Sequence, residues 1–435
     1  MTSAGFFARH QSVRSLRHRD FGLLLAASTL QAVILPLHFV TLIFWVQTEY
    51  PGQSVLYVSL LSAIRGSAML AFSLIGGAVA DRFERRHVLM ATESAACVVA
   101  ALTAAAMLTR PFGDLTIVAV LGCVLLMAAN LAIDIPARSS AIPAVVGMGD
   151  VSNAISLNMV AAQLTFPFVL VMVGALNSAF EPGQVFAGSL SVWLFTLPLI
   201  ALLRFQSTGT AAHAGVLSNI RAGLSYTRGS AVLVGVLGAV FVVHTVGMPG
   251  IGALGPVWMT EVLGLSRTEF GFMAMTWGIG ALLMSVFLAR WEQLMRRGTT
   301  LCALVVFFGV STIVFGHSRI VALTVVANFS AGAALIGVMM TATTLIQHVA
   351  SEGMRGRVMG LFPLAMGFSM LNALPVGAVA QATSLELIVP ILGWLTLGLG
   401  SLVVVGAPAM RRATLDFRTA APSRLAPALE LEGPA

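Results

Sequence analysis

The chain has 435 residues, 58% of them hydrophobic and only 9% charged, whereas a water-soluble domain carries about 25% charged residues. With a mean hydropathy of +0.94, folding in water is excluded, and at roughly 20 apolar residues per bilayer crossing the chain has room for about a dozen spans. A net charge of +7 could suit a nucleic-acid binder, but arginines gathered in the loops on one side of a membrane account for it without nucleic acid.

Residues 1–20 are basic and polar, and the apolar run that follows is too long for the core of a signal peptide, so the first helix is expected to stay in the protein. Apolar runs then occupy 21–45, 54–80, 87–108, 115–137, 156–178, 184–203, 231–254, 268–290, 299–316, 320–346, 358–382 and 387–409. Each is long enough to span a bilayer. The break between the first two rests on Glu49, Pro51 and Gly52, residues that interrupt an apolar helix. The expected fold is all-α, with twelve transmembrane helices in two six-helix bundles.

The longest internal polar stretch, Arg204 to Ser230, divides the chain six plus six. Within it, Val216, Ile220, Leu224 and Tyr226 share a face at helical spacing, which predicts a short interfacial helix over Val216 to Tyr226. The expected organisation is an N-terminal segment (1–20), a first bundle (21–203), a linker (204–230), a second bundle (231–410) and a tail (411–435). The tail is rich in Ala and Pro and is expected to be disordered.

Twenty arginines fall in the N-terminal segment, the loops after even-numbered helices and the tail, against only Arg110, Arg267 and Arg319 in the opposite loops. That asymmetry predicts both termini in the cytoplasm. Cys97, Cys123 and Cys302 lie singly in apolar runs, so neither a metal site nor a disulfide framework is indicated. No cofactor is implied. The eight histidines show no carboxylate at catalytic spacing, and no Gly-Lys phosphate loop is present, which argues against a membrane enzyme and against a built-in ATPase.

The second helix ends in Gly76, Gly77, Ala78, Val79, Ala80, Asp81, Arg82, Phe83, Glu84, Arg85 and Arg86. The glycines permit close helix approach, the acid can cap a helix N-terminus, and the arginines can hold carboxylates or lipid phosphates. This stretch resembles the cytoplasmic signature of the major facilitator superfamily, with Glu84 where a glycine is usual. Three further stretches resemble the enterobactin-exporter-like branch of bacterial efflux transporters. They are Asp134 to Arg138 with Ile142 and Pro143, Ala222 to Tyr226, and Arg355 to Met359. Two departures stand out. The fifth helix reads Thr165, Phe166, Pro167, Phe168 where drug/proton antiporters write a glycine-rich run, and the second copy of the signature, Ala289 to Arg297, is degenerate.

The resemblance implies a secondary transporter of the bacterial inner membrane that works by alternating access, usually as a monomer, and exports a small amphipathic molecule such as a siderophore, drug or metabolite by proton antiport. Its alternatives are a lysophospholipid flippase and a transporter-like regulatory subunit. It implies a gating set of Gly77, Asp81, Arg82, Arg85, Arg86, Asp134, Arg138, Arg355 and Arg357. Asp81 is expected to cap the helix beginning after Arg357, and Asp134 to pair with a signature arginine.

Charge inside a bilayer is costly and usually functional, which makes Arg65, Glu93, Asp134 and His244 candidates. Arg65 reads either as an anion or substrate contact facing the cavity or as a structural pair with a helical neighbour such as Glu93. Glu93 reads as a proton-coupling group or as a salt bridge to Arg82 or Arg86. His244 can relay protons or be a buried, hydrogen-bonded ring. Gln31, Asn130, Gln163, Asn328, Gln347 and Asn372 are expected to line a cavity or tie helices together. Trp277 is the aromatic expected on the cavity wall.

Overall fold

The computed structural model describes residues 11–205 and 216–413, apart from some side chains between 73 and 81 and those of 11, 12, 216 and 217. Among these residues, twelve helices are long and apolar enough to cross a membrane. They are α1 (Arg19–Glu49), α2 (Ser54–Arg82), α3 (Arg85–Thr109), α4 (Thr116–Val146), α5 (Val151–Ala179), α6 (Pro182–Ala201), α7 (Ala231–Val262), α8 (Arg267–Arg290), α9 (Gly298–His317), α10 (Val321–Val349), α11 (Phe362–Ala382) and α12 (Leu385–Gly406). Large apolar side chains such as Phe168, Leu194 and Leu402 point outward, as lipid requires.

The packing repeats. In the first half α2 lies on α4, α4 on α3 and α3 on α6; in the second α8 lies on α10, α10 on α9 and α9 on α12. The halves meet through α2 on α11 and α5 on α8, two contacts that exchange when the halves are superimposed in order. Close approach at these seams uses missing side chains. Gly174 of α5 backs onto Gly271 of α8, where an added Cβ would strike backbone, and Gly66 of α2 backs onto Gly367 of α11.

Several helices differ from the apolar runs. α4 continues through Pro136 and Pro143 to Val146, because the polar residues beyond 137 are carried by packing that hydropathy does not register. α7 runs on to Val262 through three π-helical turns, Val243–Gly247, Pro249–Ala253 and Trp258–Val262. Pro249 and Pro256 lack the N–H of a regular helix, and wide turns absorb the defect. α6 is interrupted by a 3-10 turn at Leu190–Val192. The segment before α11 is a short helix, Glu352–Met359, where a loop was expected. The interfacial helix is Val216–Arg228. The disorder expected of the tail falls on residues outside those described, except that Pro408–Arg412 is helical.

One end of the molecule, here the terminal face, carries residue 11, the linker helix and residue 413. The distal face carries the turns at 50–53, 110–115, 180–181, 263–266, 318–320 and 383–384.

Candidate functional site

Between the halves lies a cavity of about 590 Å³ walled by α1, α2 and α5 on one side and α7, α8, α10 and α11 on the other. Its wall is mostly apolar, with Phe39, Phe166, Met248 and Met370 among the lining residues. Arg65, His244, Trp277, Gln163 and Asn328 all reach this wall. The Arg65 guanidinium stands 4.4 Å over the Phe39 ring. It makes no pair with Glu93, which lies in a separate cluster.

His244 sits in the first π-turn of α7, with Nδ1 3.1 Å from the Val240 carbonyl. In the neutral ring that nitrogen must carry the hydrogen, which leaves Nε2 as the acceptor. The relay and buried-ring readings of His244 are therefore compatible. Asn328 lines the cavity but spends its amide on the Met273 carbonyl at 2.9 Å and the Thr276 hydroxyl at 3.0 Å. Asn372 donates to the Thr245 carbonyl at 2.8 Å, and Gln347 is exposed.

A second cluster lies within the first half, away from the cavity. Arg138 of α4 donates to Glu93 of α3 at 2.6 Å and to Asp134, one turn before it, at 3.0 Å. Glu93 also accepts from the Trp193 indole at 2.9 Å, and Asp134 from Gln31 and Thr92, both at 2.8 Å. All three charged residues are buried. Two expectations are corrected here. Glu93 pairs with Arg138 in place of Arg82 or Arg86, and Asp134 likewise pairs with Arg138 and not with a signature arginine. Of the two places expected for the amides, Gln31 and Asn130 take the one between helices: Gln31 serves this cluster, and Asn130, which donates to the Thr92 carbonyl at 2.9 Å, braces α4 against α3, and neither lines the cavity. The reason is helical phase: Arg138 lies one turn from Asp134, on the same face, a spacing that was legible.

The distal face is closed by polar contacts between the halves that sequence reasoning missed. Glu261, at the end of α7, accepts from Ser54 at 2.7 Å and Gln47 at 3.1 Å. Arg267, at the start of α8, donates to the Asn177 carbonyl at 2.8 Å and the Thr48 hydroxyl at 2.7 Å. Thr268 donates to Ser178 at 2.7 Å, and Gln381 to the Gly52 carbonyl at 3.0 Å. The only local signal was Ser266 with Glu269, whose capping box starts α8. Which residues of the other half would meet them depends on the tertiary fold.

A family of transmembrane secretion effectors within the major facilitator superfamily matches residues 11–426. The chain belongs to this family. Among solved structures, the nucleoside transporter NupG, in a mutant form, superimposes on this facilitator with a TM-score of 0.72 at 12% identity, covering 89% of this chain and 99% of its own. A peptide transporter POT in complex with alafosfalin gives 0.68 at 14% identity, covering 91% and 96%. These likenesses establish the major facilitator fold; no curated protein matches the sequence. The facilitator is a multi-pass secondary transporter and not an enzyme.

On the terminal face, the side chain of Asp81 and the surroundings of Gly77 lie outside the described residues. Their neighbour Gly76 presses on the Ala132 backbone of α4, a close approach of the kind its glycine predicted. Arg82 is exposed beside Phe83, Arg85 is half-buried at the start of α3, and Arg86 donates to the Ala201 carbonyl at 2.7 Å, tying α3 to the end of α6. The helix that follows Arg357 is α11, from Phe362; the capping expected of Asp81 falls on a side chain outside those described. Arg355 and Arg357 lie within Glu352–Met359, with Arg355 bonded to the Ala350 carbonyl at 3.1 Å. Gly223 of the linker helix backs onto the Arg357 backbone, so two of the family-like stretches meet each other.

Proposed function

We propose that this facilitator exports small amphipathic molecules by proton antiport across a bacterial inner membrane, as a monomer with both termini in the cytoplasm. The observation that carries the reading is a mostly apolar cavity shared by both halves and closed at the distal face by contacts between them. The arginine asymmetry orients the terminal face to the cytoplasm, so the described state is the one loaded from inside. Rocking of the first bundle (21–203) against the second (231–410) about the linker (204–230) would exchange access.

His244 is the proton carrier in this scheme, because among the described residues it is the one ring on the cavity wall with a free basic nitrogen, Nε2, once Nδ1 is bonded to the Val240 carbonyl. Gly77, Asp81, Arg82, Arg85 and Arg86, with Arg355 and Arg357, form the gate on the terminal face. Glu93, Asp134 and Arg138 hold the first bundle rigid. The similarity of four stretches to the enterobactin-exporter-like branch favours siderophores, drugs or related metabolites as cargo. The apolar wall also favours lysophospholipid as a second reading.

Inverted membrane vesicles energised to acidify their interior, offered a panel of siderophores, lipophilic drugs and lysophospholipids, test the proposal. The expected result is accumulation of some compound, abolished by a protonophore and by Asp81→Asn, and uncoupled from the proton gradient by His244→Gln. Accumulation no greater than in vesicles lacking the protein, or indifferent to the protonophore, overturns it.

A further inference from the structure

Two arginines sit at membrane depth in the first half, and they are treated oppositely. Arg138 is neutralised by two carboxylates. Arg65, by contrast, has no ion pair and no hydrogen bond among the described residues; its recorded contact is the face of Phe39. Among the described residues, no Asp or Glu lines the cavity it faces. A cation–π contact replaces only part of the hydration that a guanidinium loses on burial, and a membrane-embedded cation without a counter-charge is costly to retain. The remaining donors of the guanidinium fork are matched by a planar or tetrahedral oxyanion, which can accept two parallel hydrogen bonds.

Resting on the export reading, we infer that Arg65 is the anchor for an anionic head group, and that the transported molecule is an amphipathic anion: one carboxylate, sulfonate or phosphate on an apolar body. The rest of the cavity suits that body. Its volume of about 590 Å³ falls within the roughly 300–1,000 Å³ of sites for drug-sized ligands. Trp277, Met248, Met366 and Met370 supply aromatic and adaptable thioether surface around it. Gln163 and Ser62 are neutral polar groups on the same wall that can hydrogen-bond a second oxygen.

The anchor also bears on the cycle. Closing the terminal face on an empty cavity would strip water from an unneutralised guanidinium, whereas closing it on a bound anion would not. The anion thus binds the closed state better than the open one, the differential affinity that any ligand-driven transition requires. A free soluble acid and a lysophospholipid phosphate share this chemistry.

The test uses the full chain in phosphatidylcholine nanodiscs and two probes with the same ring system, anilinonaphthalene sulfonate and its uncharged counterpart phenylnaphthylamine, titrated by fluorescence against protein-free discs. The wild type should bind the sulfonate about tenfold more tightly than the amine. Arg65→Gln and Arg65→Met should remove that preference while amine affinity stays within about twofold, which shows that both variants remain folded. Arg65→Lys, which keeps the charge, should retain most of it. Displacement of the sulfonate by lysophosphatidylglycerol but not by naphthoate assigns the anion to a lipid, and the reverse assigns it to a soluble acid. Equal binding of the two probes by the wild type, or an unchanged preference in both neutral variants, overturns the inference. If the preference depends on Arg65 but energised vesicles accumulate nothing, the anion site stands and the export reading falls. If vesicles accumulate cargo while Arg65→Gln leaves the preference intact, the export reading stands and the anion site falls.

Discussion

In the first half of the molecule Glu93, Asp134 and Arg138 are buried together, with Trp193, Gln31 and Thr92 completing their hydrogen bonds. In the second half, among the described residues, no Asp, Glu or Arg is buried, and the buried polar groups are hydroxyls, Asn328 and His244. The irregular backbone is distributed the other way, with the π-turns confined to α7. A buried charge network has one good geometry and resists sliding, whereas wide turns rich in Gly and Pro leave a helix several backbone arrangements. Two bundles with the same helix order thus divide the work: one is braced by charge, and the other carries the deformable helix that faces the cavity.

The largest effect that could break this comparison is expected from Arg138→Met. Two carboxylates would then be left buried without a counter-charge, at a cost of about 3–5 kcal/mol, read as a large drop in the melting temperature of the purified protein. Adding Glu93→Leu and Asp134→Leu should restore most of it, because a buried ionic triad replaced whole by apolar groups is often neutral or stabilising. A single variant as stable as the wild type would remove the bracing role from the network.

A smaller effect is expected at the seam between the halves. Gly271→Leu drives a side chain into the Leu170 carbonyl and the Gly174 backbone, and overpacking of this kind costs about 1–3 kcal/mol. The cost falls on the state closed at the distal face, so spin labels at Phe180 and Thr383 should report a longer distance. If the distance distribution is unchanged, the seam does not set the closed state.

Glu261→Gln keeps an acceptor for Ser54 and Gln47 but loses the charge, a difference of about 1 kcal/mol at this exposed position. The same label pair should show only a several-fold rise in the open population.

The mildest change concerns docking of the N-terminal segment. Asp150 accepts from His18 at 3.0 Å and pairs with Arg17 at 2.8 Å and Arg14 at 3.0 Å. The hydrogen bond to His18, then the two arginines, hold its carboxyl below the usual aspartate range. A depressed carboxylate contributes stability in full above its unfolded pKa of about 3.9 and loses it as pH falls through the lower folded value. Protection of the Ser15 amide, bonded to Asn153 at 3.0 Å, should therefore be flat from neutral pH down to the ordinary aspartate range and fall only below it. Asp150→Asn should reduce it at every pH.

How much of this was legible in the sequence varies by residue. Arg65 and His244, now seen on the cavity wall, draw notice in the sequence because charge and titratable rings are rare at membrane depth; Trp277 does not, since four other tryptophans lie in spans. For Gln31 and Asn130 the choice stayed open, because an amide within a span reads the same whether it faces a cavity or a neighbouring helix; the structure places both between helices. The π-turns of α7 left a trace in Pro249, Gly250, Gly252 and Pro256, but hydropathy treats them as a shorter span.

The sequence by itself determined the class, the number of spans, the six-plus-six division and the superfamily, since these follow from local hydropathy, loop charge and short contiguous stretches that need no partner. Only the tertiary structure decided which residues act together: Arg138 with Glu93, Glu261 with Ser54, Gly223 with Arg357, and Arg65 with no carboxylate among the described residues. Those pairings join positions tens to hundreds of residues apart, and their energies depend on distance and burial in three dimensions, quantities that a one-dimensional pattern does not contain.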